Sequence, residues 1–230
     1  MSRPKSNRSS PGAARPPCSR AETAYQQLKH DILEGIYTPR QHLVETDIAA
    51  QLNVSRATVR VVLTRLQLEG LVEIQPNRGA QVRALSVAEA AEILQAREVL
   101  EGLAAALAAE KVTAEQLLAL RDLVAAMEQT LSADDLMGLL PLASRFHQII
   151  IEAANQSVVA QLLDRLHAPL IRHQFRIILV PGRKAASLTE FRDILSCLEN
   201  RDAAGAERAM RHHLVQLGRS VHQASRLPMS

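Results

Sequence analysis

Residues Thr46 to Arg83, TDIAAQLNVSRATVRVVLTRLQLEGLVEIQPNRGAQVR, constrain the fold more than any other part of this chain. A short helical pattern, Thr46 to Leu52, breaks at Asn53, and a second opens at Ser55. Ile48, Ala49 and Leu52 form one apolar stripe; Val59, Val62, Leu63 and Leu66 form another at helical spacing. Packed together, the stripes fix the angle between two helices, and the small Ala49 and Ala50 permit close approach. Ser55 is a good N-cap for the second helix and Gly70 suits its end. Leu71 to Gln75 and Ala80 to Arg83 alternate as a small hairpin, with Pro76, Asn77, Arg78 and Gly79 at its tip. This is the pattern of a winged helix-turn-helix, whose second helix fits a DNA major groove while the first rests across the backbone.

Arg56 falls in the first turn of the second helix and Arg60 one turn later on the same face. Arginine there reaches phosphate oxygens or pairs bidentately with guanine. Arg78, on a flexible tip, suits the minor groove or a phosphate. The competing reading is three ordinary solvated charges. Charge distribution favours the first. Residues 1–84 carry 12 Lys+Arg against 7 Asp+Glu, whereas residues 85–230 carry 15 against 17. The positive excess lies with the segment that would neutralise phosphates.

Length allows this small reader and a second core of about 140 residues. Hydrophobic content is 47% but aromatic content only 2%, which favours aliphatic helix packing over a β-sandwich. No apolar run reaches the roughly 18 residues of a membrane span. Residues 1–20 are polar and proline-rich without an apolar stretch, and read as a disordered basic arm rather than a secretory signal. Cys18 and Cys197 are too few for a disulfide framework, which fits a reducing cytoplasm.

Beyond Ala84 the patterns are helical. Ser86 with Glu89, Thr113 with Gln116, and Ser187 with Glu190 read as capping boxes, and Asp202 as a cap. Asn155 suits a left-handed helix end, and Pro141 and Pro169 are expected to bend or split their helices. The spacing predicts six or seven helices with short connections, an all-α antiparallel bundle over residues 86–223. The fold class is mainly α, with the winged helix-turn-helix at 21–84.

The segment VSRATVRVVLTRLQLEGLVEIQPNRGAQV, with LKHDILEGIYTPRQHLVETDIAAQL before it, resembles the GntR family of bacterial transcription regulators. The family usually has Pro at the position of Thr58 and an acidic residue at Val61, and Ala57 replaces a hydroxyl residue. The resemblance implies DNA contacts at Thr46, Ser55, Arg56, Arg60 and Gly79, with Thr58 and Arg78 beside them. Residues 93–110, 145–163 and 188–214 resemble the FCD domain, the effector-binding and dimerisation bundle of the FadR branch of that family.

Many FCD domains hold a divalent metal through one Asp and three His, the Asp four residues before the first His. Carried over, the positions are Ala143, His147, Phe191 and His213. Two of the four are replaced by groups that cannot coordinate, so no metal or other cofactor is expected. The remaining polar groups, Arg97, His147 and His213, suggest a ligand site for a small anionic or polar organic molecule, with Arg97 clamping a carboxylate. For Arg97 the equal alternative is an ion pair with Glu98, Glu101 or a partner helix; for the histidines it is a satisfied core pair. Arg172, His173 and Arg176 read as a solvated basic face or a second anchor.

The expected protein is a cytoplasmic, homodimeric transcriptional repressor that binds a palindromic double-stranded DNA operator and responds to a small effector, with no membrane association. Two alternatives stand beside it. One is a family member that binds DNA constitutively without an effector. The other is a helical metalloenzyme, for which the sequence offers no nucleophile–base pair and no complete metal set.

Overall fold

The computed structural model describes residues 20–75, 79–133, 135–167, 170 and 177–226. The expected arm lies outside them, except that Arg20 is the first residue of a helix. Cys18, Arg78, Pro169 and the 172–176 cluster also lie outside.

The first unit comprises α1 (Arg20–Leu33), β1 (His42–Leu43), α2 (Glu45–Gln51), α3 (Arg56–Leu68), β2 (Val72–Gln75) and β3 (Gly79–Val82). Asn53 takes φ 51° between α2 and α3, a conformation Asn tolerates better than most residues. The Ser55 hydroxyl accepts from the Thr58 N–H at 3.1 Å, capping α3 as its sequence predicts. The two predicted stripes meet: Ile48, Val59, Val62, Leu63 and Leu66 are buried in one cluster with Leu28 and Ile32 of α1. Tyr25 ties α1 to the end of α3, donating to Glu69 at 2.5 Å while the Arg65 guanidinium stacks 3.5 Å from its ring centre. The hairpin pairs Val72 with Val82 and Ile74 with Ala80. β1 adds a third antiparallel strand beside β3. Two residues are too short for alternation to announce, so this strand is not legible in the sequence.

The second unit runs α4 (Val87–Lys111), α5 (Ala114–Ser132), α6 (Leu136–Ala154), α7 (Ser157–His167), α8 (Arg183–Glu199) and α9 (Ala203–Ala224), and Ile177 and Ile178 are also helical. Six bounded helices among the described residues agree with the predicted bundle. Thr113 and Gln116 form a complete capping box, and Asp202 caps α9 through the Gly205 N–H. Asn155 ends α6 at φ 52°. α4 is the central rod, packing on α6, α7, α8 and α9. Ala104, Ala105, Ala108 and Ala109 are buried along it. At Gly102 an added Cβ would lie 2.8 Å from Cγ of Arg211 on α9, so the small side chain keeps the helices close. This core is separate from the first: Phe146, Leu120, Met127, Ile150, Ile194 and Met210 sit at its centre.

Three expectations need correction. Pro141 does not split α6, which runs on from Leu136 to Ala154; one missing N–H near the start of a helix packed on α4 and α5 is tolerated. Ser86 accepts from the Glu89 N–H, but the Glu89 carboxylate is taken by Arg83, so the box is half formed. Ser187 is no cap, because α8 already begins at Arg183 after Gly182 at φ 76°. Glu190 is thereby free for a different role. Arg83 joins the two units: its backbone N–H donates to Leu71 O at 2.9 Å while its guanidinium bonds Glu89 in the first turn of α4.

Candidate functional site

On the first unit, Arg56 and Arg60 project from α3 with side chains 60% and 64% exposed. Both turn toward Glu45 at the start of α2. Arg60 Nε donates to the two carboxylate oxygens at 2.8 and 2.9 Å, and Arg56 Nη2 approaches at 3.4 Å. The hydrogen bond from Arg60 leads in holding the Glu45 carboxyl below its usual range. Thr46 and Ser55 are exposed beside them, and Thr58 is half-buried with its hydroxyl 2.9 Å from that of Ser55. Gly79, exposed at φ 78°, opens β3 in a conformation that favours glycine. Five residues of the sequence-predicted set, Thr46, Ser55, Arg56, Thr58 and Arg60, thus cluster at the α2–α3 corner. Gly79 lies on the hairpin.

In the second unit two buried networks face each other. Arg97 Nε donates to Glu101 Oε1 at 2.6 Å across one turn of α4, and Nδ1 of His147 on α6 lies 2.5 Å from Glu101 Oε2. Arg183 holds both oxygens of Glu190, two turns further along α8, and Nδ1 of His213 on α9 lies 2.6 Å from Glu190 Oε2. All six side chains are buried. Burial alone would raise the Glu101 carboxyl, but the Arg97 guanidinium and the hydrogen bond from His147 overrule it and hold it far below the usual carboxylate range. Glu190 is lowered in the same way, burial opposing and the bonds from His213 and Arg183 prevailing. Burial, aided by the neighbouring His147, depresses His213 to about 4 despite Glu190.

The two imidazole centres are 5.2 Å apart. Phe191 packs beside both, its ring 5.7 Å from His147 and 4.8 Å from His213, and Phe146 packs on it at 4.9 Å. Two of the chain's three phenylalanines thus gather where the histidines meet. A cavity of about 70 Å³ remains, lined by Arg97, Ala143, Ser144, His147, Phe191 and His213 together with aliphatic groups. An outer cleft of about 500 Å³ shares Arg97, Ser144 and His147 with it and adds Glu101, Glu152 and Asp164.

Residues 20–82 match the family model described as bacterial regulatory proteins, gntR family, and residues 92–216 match that of the FCD domain. The chain belongs to the GntR family. Among its relatives, the HTH-type transcriptional repressor RspR of Escherichia coli is 28% identical over 199 residues, 86% of this chain and 87% of that protein. An HTH-type transcriptional regulator in the TAR-I ttuE-ttuC' intergenic region of Agrobacterium vitis is 36% identical over 140 residues, 60% of this chain and 82% of the relative. The solved structure of E. coli McbR/YncC superposes with a TM-score of 0.75 at 22% identity, covering 89% of this chain and 98% of that one, which shows a shared fold. This protein is accordingly a transcriptional regulator with a GntR reader and an FCD domain.

The family's metal can now be tested against this GntR regulator. Ala143, His147, Phe191 and His213 line one cavity, as the residue-by-residue match to the FCD metal positions requires. A methyl and a phenyl group supply no donor atom, and the Phe191 ring packs against both imidazoles. Two imidazoles fall short of the three protein ligands a divalent ion normally takes. Among the described residues no three His, Cys, Asp or Glu side chains converge in metal-holding geometry. The residues present do not fit the family's four-ligand centre.

For Arg97 the sequence left two equal readings, a carboxylate clamp and an ion pair. It is the ion-paired alternative, with Glu101 as its partner. Glu190, read as a cap, and Arg183, not singled out, complete the second network. Opposite charges spaced i,i+4 and i,i+7 on otherwise buried helix faces were the signal that could have found both.

Proposed function

We propose that this GntR regulator binds a palindromic operator as a homodimer, represses transcription, and responds to a small polar organic molecule held between α4, α6, α8 and α9. The observation that carries the reading is the exposed Arg56–Arg60 pair on a capped helix beside a hairpin. One recognition helix reads only a few base pairs, and a dyad of two gives useful specificity. The exposed apolar residues Val99 and Leu103, one turn apart on α4, support association of two copies. The repressor assignment is supported by the relative named a transcriptional repressor. No helix among the described residues is long and apolar enough to cross a membrane, in keeping with a cytoplasmic location. The reading assigns no catalytic residue.

An operator mobility shift tests the reader. Arg60→Ala should weaken binding by about 1–3 kcal/mol if it reads a base, and the Arg56→Ala/Arg60→Ala variant should lose more while melting at the wild-type temperature. Unchanged affinity in the double variant refutes the contact assignment. Sedimentation of the full chain at micromolar concentration should give a dimer, and a clean monomer removes the dyad.

A second reading, constitutive DNA binding without an effector, is favoured by one observation: Phe191 leaves an inner cavity of only about 70 Å³. Candidate metabolites titrated against the operator complex separate the two, since the constitutive protein stays bound throughout.

A further inference from the structure

The buried networks define the chemistry of the cavity between them, and this inference rests on the effector reading above. Each guanidinium has its own carboxylate: Arg97 with Glu101, Arg183 with Glu190. The four charges cancel in pairs, so the described walls offer no unpaired cation to an anionic guest. Each carboxylate also fixes an imidazole. With Nδ1 of His147 and of His213 committed to an oxygen, the neutral ring carries its proton there and its lone pair at Nε2. No acceptor or donor among the described residues bonds either Nε2. The rings are 5.2 Å apart and both line the cavity, so two acceptor nitrogens are presented within one small space.

We propose that this cavity takes an uncharged guest through a hydroxyl group that donates to a histidine Nε2, rather than through a carboxylate. A hydroxyl both satisfies the lone pair and accepts in return from Ser144 or Ser187, which lie in the same wall. The short carbon body of the guest then meets Leu139, Ile177, Ile178 and Phe191. A carboxylate meets the reverse. It brings lone pairs against lone pairs, and it is buried without a counter-charge, which is costly. To welcome it, a histidine would need a second proton, which would leave a net positive charge buried beside a carboxylate already neutralised by its guanidinium. The outer cleft adds to this, since Glu101, Glu152 and Asp164 stand along it against Arg97 alone among its described Lys and Arg residues. A volume of about 70 Å³ admits a two- or three-carbon group, with any larger remainder lying in the cleft of about 500 Å³.

The test uses the full-length wild-type protein and two matched pairs of probes: ethylene glycol against glycolate, and propane-1,2-diol against lactate. Imidazole ¹⁵N resonances of His147 and His213 report contact at Nε2, and operator affinity is followed in parallel. The diols should shift the Nε2 resonances saturably at millimolar concentration, with each carboxylate at least tenfold weaker than its diol. Carboxylates that shift the same resonances at equal or lower concentration overturn the proposal. If they also release the operator, the effector reading survives while the hydroxyl assignment falls. If none of the four probes moves either histidine, the proposal is equally overturned, while the effector reading stands or falls with the titration of candidate metabolites against the operator complex.

Discussion

A carboxylate that accepts from a guanidinium and an imidazole together fixes the orientation of both. Glu101 does this for His147 and Glu190 for His213, so each ring is held by its Nδ1, and both rings line the cavity. Metal-ligating histidines are commonly held in this way. The consequence can be tested by restoring what is missing. Ala143 lies one turn before His147, and Phe191 packs against both rings. The Ala143→Asp/Phe191→His variant supplies an oxygen and a third imidazole to rings already aimed. It should co-purify with stoichiometric divalent metal that resists mild chelation, while the wild type gives up any metal under the same treatment. Metal analysis of both proteins decides it. A double variant that folds but stays metal-free shows that the rings do not converge as described.

Among the elements, the helices with local signals are those the sequence announces. Ser55, Thr113 and Asp202 each accept from the backbone N–H three residues on, as their cap patterns predict. The cap on α3 also orients Arg56 and Arg60, since it fixes where the helix begins. Ser55→Ala should cost about 1 kcal/mol of stability, read as a lowered urea midpoint at unchanged slope; an unaltered midpoint shows the cap to be idle. The elements that sequence reading misplaced are those whose residues answer to distant partners. Ser187 and Glu190 have capping-box spacing, yet Glu190 is drawn into the core by Arg183 and His213, and the helix starts five residues earlier. β1 exists because β3 offers an edge to His42 and Leu43, a fact no local pattern contains. The cavity was half legible. Arg97, His147, Phe191 and His213 were picked out on helical spacing and family resemblance. Their charge state depended on two carboxylates contributed from other turns and other helices.

For the whole molecule, the shifted groups set how stability follows pH. His213 sits at about 4 in the folded protein against 6.5 unfolded, so the unfolded chain takes up a proton first as pH falls. Its contribution is complete above about pH 6.5 and is lost on descent toward pH 4. Glu101 and Glu190, held below the ordinary 4.5, add a loss of the same sign below that value. Thermal melting should therefore be level above pH 7 with respect to these groups and fall progressively from pH 6.5 to 4. His213→Gln should flatten the upper part of that descent, from pH 6.5 to 4.5, relative to its own neutral value. A wild-type melting temperature unchanged between pH 7 and 4.5 would contradict the burial of His213 as a neutral ring.

The 25 residues of α4 form one unbroken rod, about 37 Å long at 1.5 Å per residue. Arg97 and Glu101 sit near its middle, and Arg83 grips its first turn through Glu89 while bonding the sheet through Leu71. The distance from Arg97 back to the first turn is about 15 Å along the axis. A tilt of about 5° pivoting at Arg97 would carry that end through roughly 1.3 Å. The rod is thus geared, turning an angular adjustment too small to disturb the packing at its centre into a displacement as large as a hydrogen bond can follow at its tip.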